Sequence, residues 1–525
     1  MIPLPQLLAR MLPDPEAAHR PEPWTRSDWR LVLFLGPGFT LLYLLTASCA
    51  PDDWDSIQFL RGLDHFNIKL HQPHPPGYPL YLGAAWLVRA LTGVGGHTAF
   101  TTISALGGAV AVLASFVLAR TGLSRFWALC GSLAVGFSPM LWMNAIKAMT
   151  DAPASGFLLA TAAVGTAAWF HPSRRYRLLL LASACAVVAS GLRPQNSFAA
   201  LLILGVSLGV CRIGWRPSAI VLVCWMGGCL LWLLPTMALQ AAAENGDFWT
   251  SYWAGNNRQF RWRFDQPLIY AGADLAGDPL LIKRLGIHLA SGLFLGLGNG
   301  TDPSVLLTTP LVLVGLAGFM RRVGERSAQG LVRQVVVQLS WMAPYAFMMF
   351  VFLPGSSRYY IPVLAPLVLA ATAGWSAWGR CSRIGVLGAI ALPVTFLCVS
   401  LPLAWQNHTE PCPPFRAVTW LEEQVPPGER ASTLVVLNES LRHFQQAAPG
   451  FRVVELDKLR KPGAWESALA GMTRVYTESN RLPVVVQRND LGLREAALFQ
   501  RPPAIHFKHW RVRLYRVEGW QAPVP

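Results

Sequence analysis

Long apolar runs, each broken by a short polar or basic stretch, fill most of the chain between residues 31 and 405. Runs long enough to cross a bilayer begin near Leu31, His97, Phe126, Ala152, Leu178, Ser197, Ser218, Ser304, Val335, Ile361 and Ile384. A hydrocarbon core needs roughly 20 apolar residues of helix, so this pattern predicts about eleven transmembrane helices. The first run, 31–49, follows a polar, proline-rich stretch without a small-residue cleavage site. It is therefore expected to be a retained helix and not a cleaved signal.

Basic residues gather in alternate loops: Arg120 and Arg125; Arg174, Arg175 and Arg177; Arg212 and Arg216; Arg321, Arg322, Arg326 and Arg333; Arg380 and Arg383. The positive-inside bias puts these loops, and residues 1–30, on the cytoplasmic side of an inner membrane. An odd helix count then leaves the carboxyl end extracytoplasmic. Residues 78–92 are apolar, but at about 15 residues they are short for a span. Counted as a crossing, they would turn every later basic loop outward. They are predicted to form a helix lying at the outer surface, entered from an extended Pro-Pro-Gly segment. Residues 280–297, with Lys283, Arg284 and His288 near their start, are read as interfacial or re-entrant.

Beyond Pro413 the pattern changes. Short β-like runs at 433–437, 451–456, 483–487 and 510–517 alternate with helix-like segments such as 464–476, which predicts a small α/β domain. It holds no glycine-rich phosphate loop, zinc spacing or nucleophile elbow. The predicted layout is a cytoplasmic segment 1–30, a transmembrane domain 31–405 with outer loops 50–96 and 240–303, and an extracytoplasmic α/β domain 413–525.

Composition agrees with a polytopic membrane protein: 525 residues, 53% hydrophobic and 14% charged, with mean hydropathy +0.36. The formal charge of +16 comes from 44 Lys+Arg against 28 Asp+Glu. Those basic residues punctuate apolar runs instead of forming patches on a charge-rich surface, so nucleic acid is not an expected partner. The 9 cysteines are scattered, mostly within apolar runs and without CxxC spacing, and read as packing residues. Asp52, Asp53 and Asp151 could ligate a divalent ion, but no metal or other cofactor is predicted.

Candidate chemistry lies in the loops assigned outside. The first holds Asp52-Asp53-Trp54-Asp55-Ser56-Ile57-Gln58-Phe59, then His74-Pro75-Pro76-Gly77-Tyr78-Pro79-Leu80. Carboxylates at a bilayer edge are costly to desolvate, which makes them functional candidates. Asp151, Arg193 and Arg358-Tyr359 follow in later outer loops, and such polar convergence is what one cleft would require. Asp151 is either such a site acid or a helix N-terminal acid favoured by the dipole. In the long outer segment, Arg258 and Arg261 alternate with aromatic rings. That arrangement suits sugars and phosphate, and equally suits an interfacial belt with snorkelling arginines.

The pairing of Asp-x-x-x-Phe with His-Pro-Pro-Gly-x-Pro-Leu resembles the first extracytoplasmic loop of the GT-C membrane glycosyltransferases. Within that superfamily it is most similar to the protein O-mannosyltransferase-like (glycosyltransferase family 39-like) group. The resemblance implies sugar transfer from a polyprenyl-phosphate donor to a glycan, lipid or protein acceptor, with inversion and with Asp55 serving the acceptor. It also implies that Asp151 is the second loop acid and that Arg358-Tyr359 lies near the carrier phosphate. Asp-Glu is usual at the base position of that group, whereas Ser56 follows Asp55 here, leaving Asp53 to supply the second carboxylate. Asp52, His74, Arg193, Arg258 and Arg261 complete the expected binding residues. A transporter or flippase, or a non-catalytic assembly subunit, would share the helices and cations. A transporter, however, tends to show internal repeats, and none is visible in the sequence.

Overall fold

The computed structural model describes residues 24–265, 304–323, 329–352, 357–379, 383–502 and 511–520. It divides into two compact units, Met1–Ala47 with Gln58–Trp405 and Ser48–Ile57 with Gln406–Pro525. The short acidic segment Ser48–Ile57, expected in a loop of the transmembrane domain, thus groups with the C-terminal unit.

Every apolar run predicted to span is helical. In order these helices are Arg26–Leu45, Gly96–Arg120, Arg125–Phe137 with Pro139–Ala145, Asp151–Phe170, Arg175–Leu192, Ser197–Cys211, Trp215–Glu244, Ser304–Val323, Gln329–Phe352, Ile361–Gly379 and Arg383–Thr409. Among the described residues, 8 are long and apolar enough to cross a membrane, and a bent pair makes up to 9. Helices Ser304–Val323 and Gln329–Phe352 carry the other two predicted runs. The bent pair turns by 58° at Ser138, where Pro139 cannot donate into the preceding turn. Residues 280–297 lie outside the described residues.

Small residues let two of these helices touch backbone to backbone. A Cβ on Gly107 would fall 2.2 Å from the Pro153 Cα, and one on Gly156 would fall 2.2 Å from the Gly107 carbonyl oxygen. Membrane helices pack closely where such residues face each other. At the carboxyl end of helix Gly96–Arg120, fully buried Asp28 accepts from Arg120 Nε at 3.0 Å and Arg125 Nε at 3.2 Å. A capping box at Thr25 fixes Asp28 in turn. This cluster ties the start of helix Arg26–Leu45 to the loop that follows helix Gly96–Arg120.

Helix Pro79–Thr92 has 14 residues and begins with Pro at its first turn, as predicted. It buries Tyr81, Leu82 and Ala85 and exposes Trp86, Leu87 and Leu91. An exposed apolar face is what an interfacial helix offers to lipid.

The C-terminal unit is built on five strands: β1 Thr433–Leu437, β2 Arg452–Glu455, β3 Arg474–Thr477, β4 Gly492–Gln500 and β5 Arg511–Glu518. They form one sheet of order β2-β1-β3-β5-β4. β1 pairs in parallel with β2 and β3, while β5 runs antiparallel to β3 and β4. Alternate residues of β1 feed two cores: Val435 and Leu437 pack with Leu421 and Phe444, whereas Leu434 and Val436 pack with Leu456 and Trp465. A central strand covered on both faces reads as a continuous apolar run.

Three local expectations need correction. Residues 483–487 are not a strand: Leu482–Val485 is a short helix with Pro at its start, and that proline overrides the β-branched valines. Residues 464–476 split into helix Ala464–Leu469 and strand β3, because Gly471 takes a left-handed turn at φ +75. β4 has no counterpart among the predicted strands, being rich in helix formers, and its long antiparallel pairing with β5 decides its structure.

Candidate active site

The sharpest cluster lies within the transmembrane unit, at helix ends. Asp151 opens helix Asp151–Phe170, and Arg193 follows the last residue of helix Arg175–Leu192. Each suits its own helix dipole, an anion at the amino end and a cation at the carboxyl end. Arg193 Nη1 donates to Asp151 Oδ1 in a buried ion pair whose side chains are 8% and 2% exposed.

Arg358 reaches the same carboxylate, its Nε 4.0 Å from Asp151 Oδ2. Its Nη1 lies 4.0 Å from the Met149 sulfur and its Nη2 donates to Tyr359 Oη at 3.4 Å. The Tyr359 ring takes both guanidiniums on its face, Arg193 at 4.1 Å and Arg358 at 5.3 Å from the centroid. Tyr359 is held in turn by Tyr345, whose hydroxyl donates to the Tyr359 carbonyl at 2.9 Å. Two guanidiniums therefore share one carboxylate and one aromatic ring. Those three charged groups carry one positive charge in excess, with geometry that suits an anion.

His74 is linked to this region through Tyr78. Its Nε2 lies 2.7 Å from Tyr78 Oη, which also accepts from Gln195 Nε2 at 3.4 Å, two residues beyond Arg193. Gly77 makes the turn at φ +103, where a Cβ would also meet the Ile68 side chain at 3.0 Å. Tyr78 packs edge-on against Phe59 at 5.2 Å. The His-Pro-Pro-Gly-Tyr motif is thus a partly buried turn that presents a tyrosine hydroxyl.

Asp52, Asp53 and Asp55 belong to the C-terminal unit with the rest of Ser48–Ile57. Asp52 and Asp53 are buried, and Asp55 is half-buried in the first turn of helix Trp54–Asp64. The Asp53 carbonyl accepts from Ile57 N–H at 3.3 Å. Arg258 and Arg261 fall on helix Phe248–Asp265, with their side chains outside the described residues. Among the described residues, no group of three or more His, Cys, Asp or Glu could hold a metal ion.

Within the transmembrane unit the structure thus joins Asp151, Arg193, Arg358 and Tyr359, which sequence reasoning singled out separately. It adds Tyr78, Tyr345 and Met149. Tyr78 was visible inside the motif. Tyr345 lies within an apolar helix after Pro344 and carries no local signal.

No protein-family model matches the chain, and no curated protein matches it in sequence. Solved structures do. ArnT from Cupriavidus metallidurans in the apo state is similar with a TM-score of 0.52 and 13% identity, over 94% of this chain and 98% of that one. The same protein bound to undecaprenyl phosphate gives 0.51 with the same identity and coverage. An Archaeoglobus fulgidus oligosaccharyltransferase tethered with an acceptor peptide gives 0.49 and 12% identity, over 96% of this chain and 75% of that one. The ArnT likeness spans nearly all of both chains. The chain is a multi-pass membrane protein with the fold of the GT-C glycosyltransferases.

Proposed function

We propose that the protein is an integral-membrane glycosyltransferase that moves a sugar from a polyprenyl-phosphate-linked donor to an acceptor outside the cytoplasmic membrane. The observation that carries this reading is the pair Arg193 and Arg358 on the buried carboxylate of Asp151. A phosphate leaving group gains negative charge as its bond to the sugar breaks, and preorganised guanidiniums stabilise that charge. The fold is shared with a protein solved with undecaprenyl phosphate bound, which supports a lipid phosphate as the anion.

The transfer is one displacement. The acceptor hydroxyl oxygen attacks the anomeric carbon and its proton passes to Asp55. The bond from that carbon to the phosphate oxygen breaks on the opposite face, so the anomeric centre inverts. Polyprenyl phosphate departs, held by Arg193 and Arg358. Asp53 supports the base as a neighbouring carboxylate, Asp52 and His74 shape the acceptor loop, and Arg258 and Arg261 contact the donor headgroup.

Lipid analysis tests the proposal. Cells lacking the protein should accumulate a polyprenyl-phosphate sugar. Restoring the wild-type chain should clear it and restoring Asp55→Asn should not. An unchanged carrier-lipid profile in the deletion strain would refute the reading.

A further inference from the structure

We infer that the C-terminal domain, through His443 and Arg442, positions the acidic segment that carries Asp55. The inference rests on the reading of Asp55 as acceptor base. Residues 46–53 form no regular helix or strand, so the path of the chain into helix Trp54–Asp64 depends on what grips it. Four grips on residues 49–54 come from the C-terminal unit. Asn407 O accepts from Cys49 N–H at 3.4 Å, and the Cys412 thiol lies 3.7 Å from the Pro51 carbonyl oxygen. His443 Nε2 lies 3.2 Å from the Asp52 carbonyl oxygen, and the Arg442 guanidinium sits 4.6 Å over the Trp54 ring.

The two side chains of helix Leu441–Ala447 do the specific part. A carbonyl oxygen only accepts, so Nε2 of His443 carries the proton and donates. That imidazole is fully buried, with Phe415 packed edge-on at 5.3 Å. Burying such a group is unfavourable unless its hydrogen bonds are made, and this bond is made to the residue three before Asp55. Arg442 fixes Trp54, the residue directly before Asp55. Cys49, in the same segment, has its thiol pKa raised by partial desolvation and by the Asp52 carboxylate, with Arg501 opposing. The domain's sequence shows no glycine-rich phosphate loop, zinc spacing or nucleophile elbow, and holding this segment gives it a task.

A base must stand within hydrogen-bond reach of its proton, and a displacement of about 1 Å can cost on the order of a hundred-fold in rate. The test uses the full-length protein in nanodiscs. His443→Phe keeps a ring against Phe415 and removes the donor, His443→Gln restores an N–H donor, and Arg442→Met keeps length without charge. In His443→Phe, kcat should fall about ten- to a hundred-fold at unchanged donor KM, and His443→Gln should recover most of it. Amide exchange of residues 48–57 should speed up in His443→Phe and Arg442→Met, which reads the segment without any turnover.

Wild-type kcat in both of those variants overturns the inference, as does unchanged exchange of residues 48–57. Equal losses in His443→Gln and His443→Phe overturn the donor role. Should His443→Phe fail to fold, the half-buried Arg442 decides through Arg442→Met alone. Full turnover by Asp55→Asn alongside faster exchange overturns the base reading, and with it the catalytic consequence, while leaving the grip itself demonstrated.

Discussion

Asp151 and Arg193 stand 42 residues apart in sequence and form one buried ion pair, at the amino end of one transmembrane helix and the carboxyl end of another. The pair satisfies both helix dipoles, so it needs no ligand to be stable. Arg358 is the addition that a purely structural pair would not require.

The pair should therefore respond as a structural unit. Asp151→Asn leaves two guanidiniums facing a neutral amide, and removing one member of a buried pair costs about 3–5 kcal/mol. The double variant Asp151→Leu, Arg193→Met removes both charges and should be more stable than Asp151→Asn alone. Thermal unfolding in detergent checks the order. A double variant less stable than the single one would contradict it.

Arg358 should behave differently. Its side chain is 14% exposed, and the Asp151 it approaches is already paired with Arg193. Lysine keeps the charge but cannot clamp phosphate through two parallel bonds. Arg358→Lys should raise donor KM and lower turnover, and Arg358→Ala should lose more, with little change in unfolding temperature. If Arg358→Ala leaves both kinetic constants unchanged, Arg358 has no phosphate role, and Arg258 and Arg261 become the next candidates beside Arg193.

The helical part of the fold was legible because bilayer thickness imposes one length on every span, and the eleven apolar runs all became helices. Legibility failed where structure depends on partners distant in sequence. Helix formers in β4 gave way to pairing with β5. In Leu482–Val485 the failure was local: β-propensity of the valines pointed to a strand, while Pro483 in the first turn starts a helix. Asp151, Arg193 and Arg358 could each be named from sequence as a polar residue at a helix end. Their convergence on the Tyr359 ring could not, and neither could Tyr345, which acts through a backbone carbonyl from inside an apolar helix. The grouping of Ser48–Ile57 with a domain that begins hundreds of residues later is likewise a long-range contact that no local pattern records.

Orientation is testable independently of chemistry. Ser173 is exposed in the turn before helix Arg175–Leu192, beside Arg174, Arg175 and Arg177, a basic stretch that the positive-inside bias puts in the cytoplasm. Ser467 is exposed on the C-terminal domain, expected outside. With exposed Cys49, Cys224 and Cys398 replaced, Ser467→Cys should react with an impermeant maleimide in spheroplasts, and Ser173→Cys should react only after lysis. The reverse labelling pattern would invert the topology and move the proposed reaction to the cytoplasm.

The base assignment carries the most specific expectation. Asp55 is half-buried in the first turn of helix Trp54–Asp64, where an acidic side chain suits the amino end of the helix dipole. Asn is nearly the same size and cannot take the acceptor's proton. Asp55→Asn should fold, bind a polyprenyl phosphate as the wild-type chain does, and lose about two to four orders of magnitude in kcat. Asp53→Asn should lose less, because a supporting carboxylate is not the proton acceptor. Turnover and binding are measured on the same purified samples. Near wild-type kcat for Asp55→Asn would remove it from the mechanism. Loss of carrier binding together with kcat would make it a donor-site residue instead.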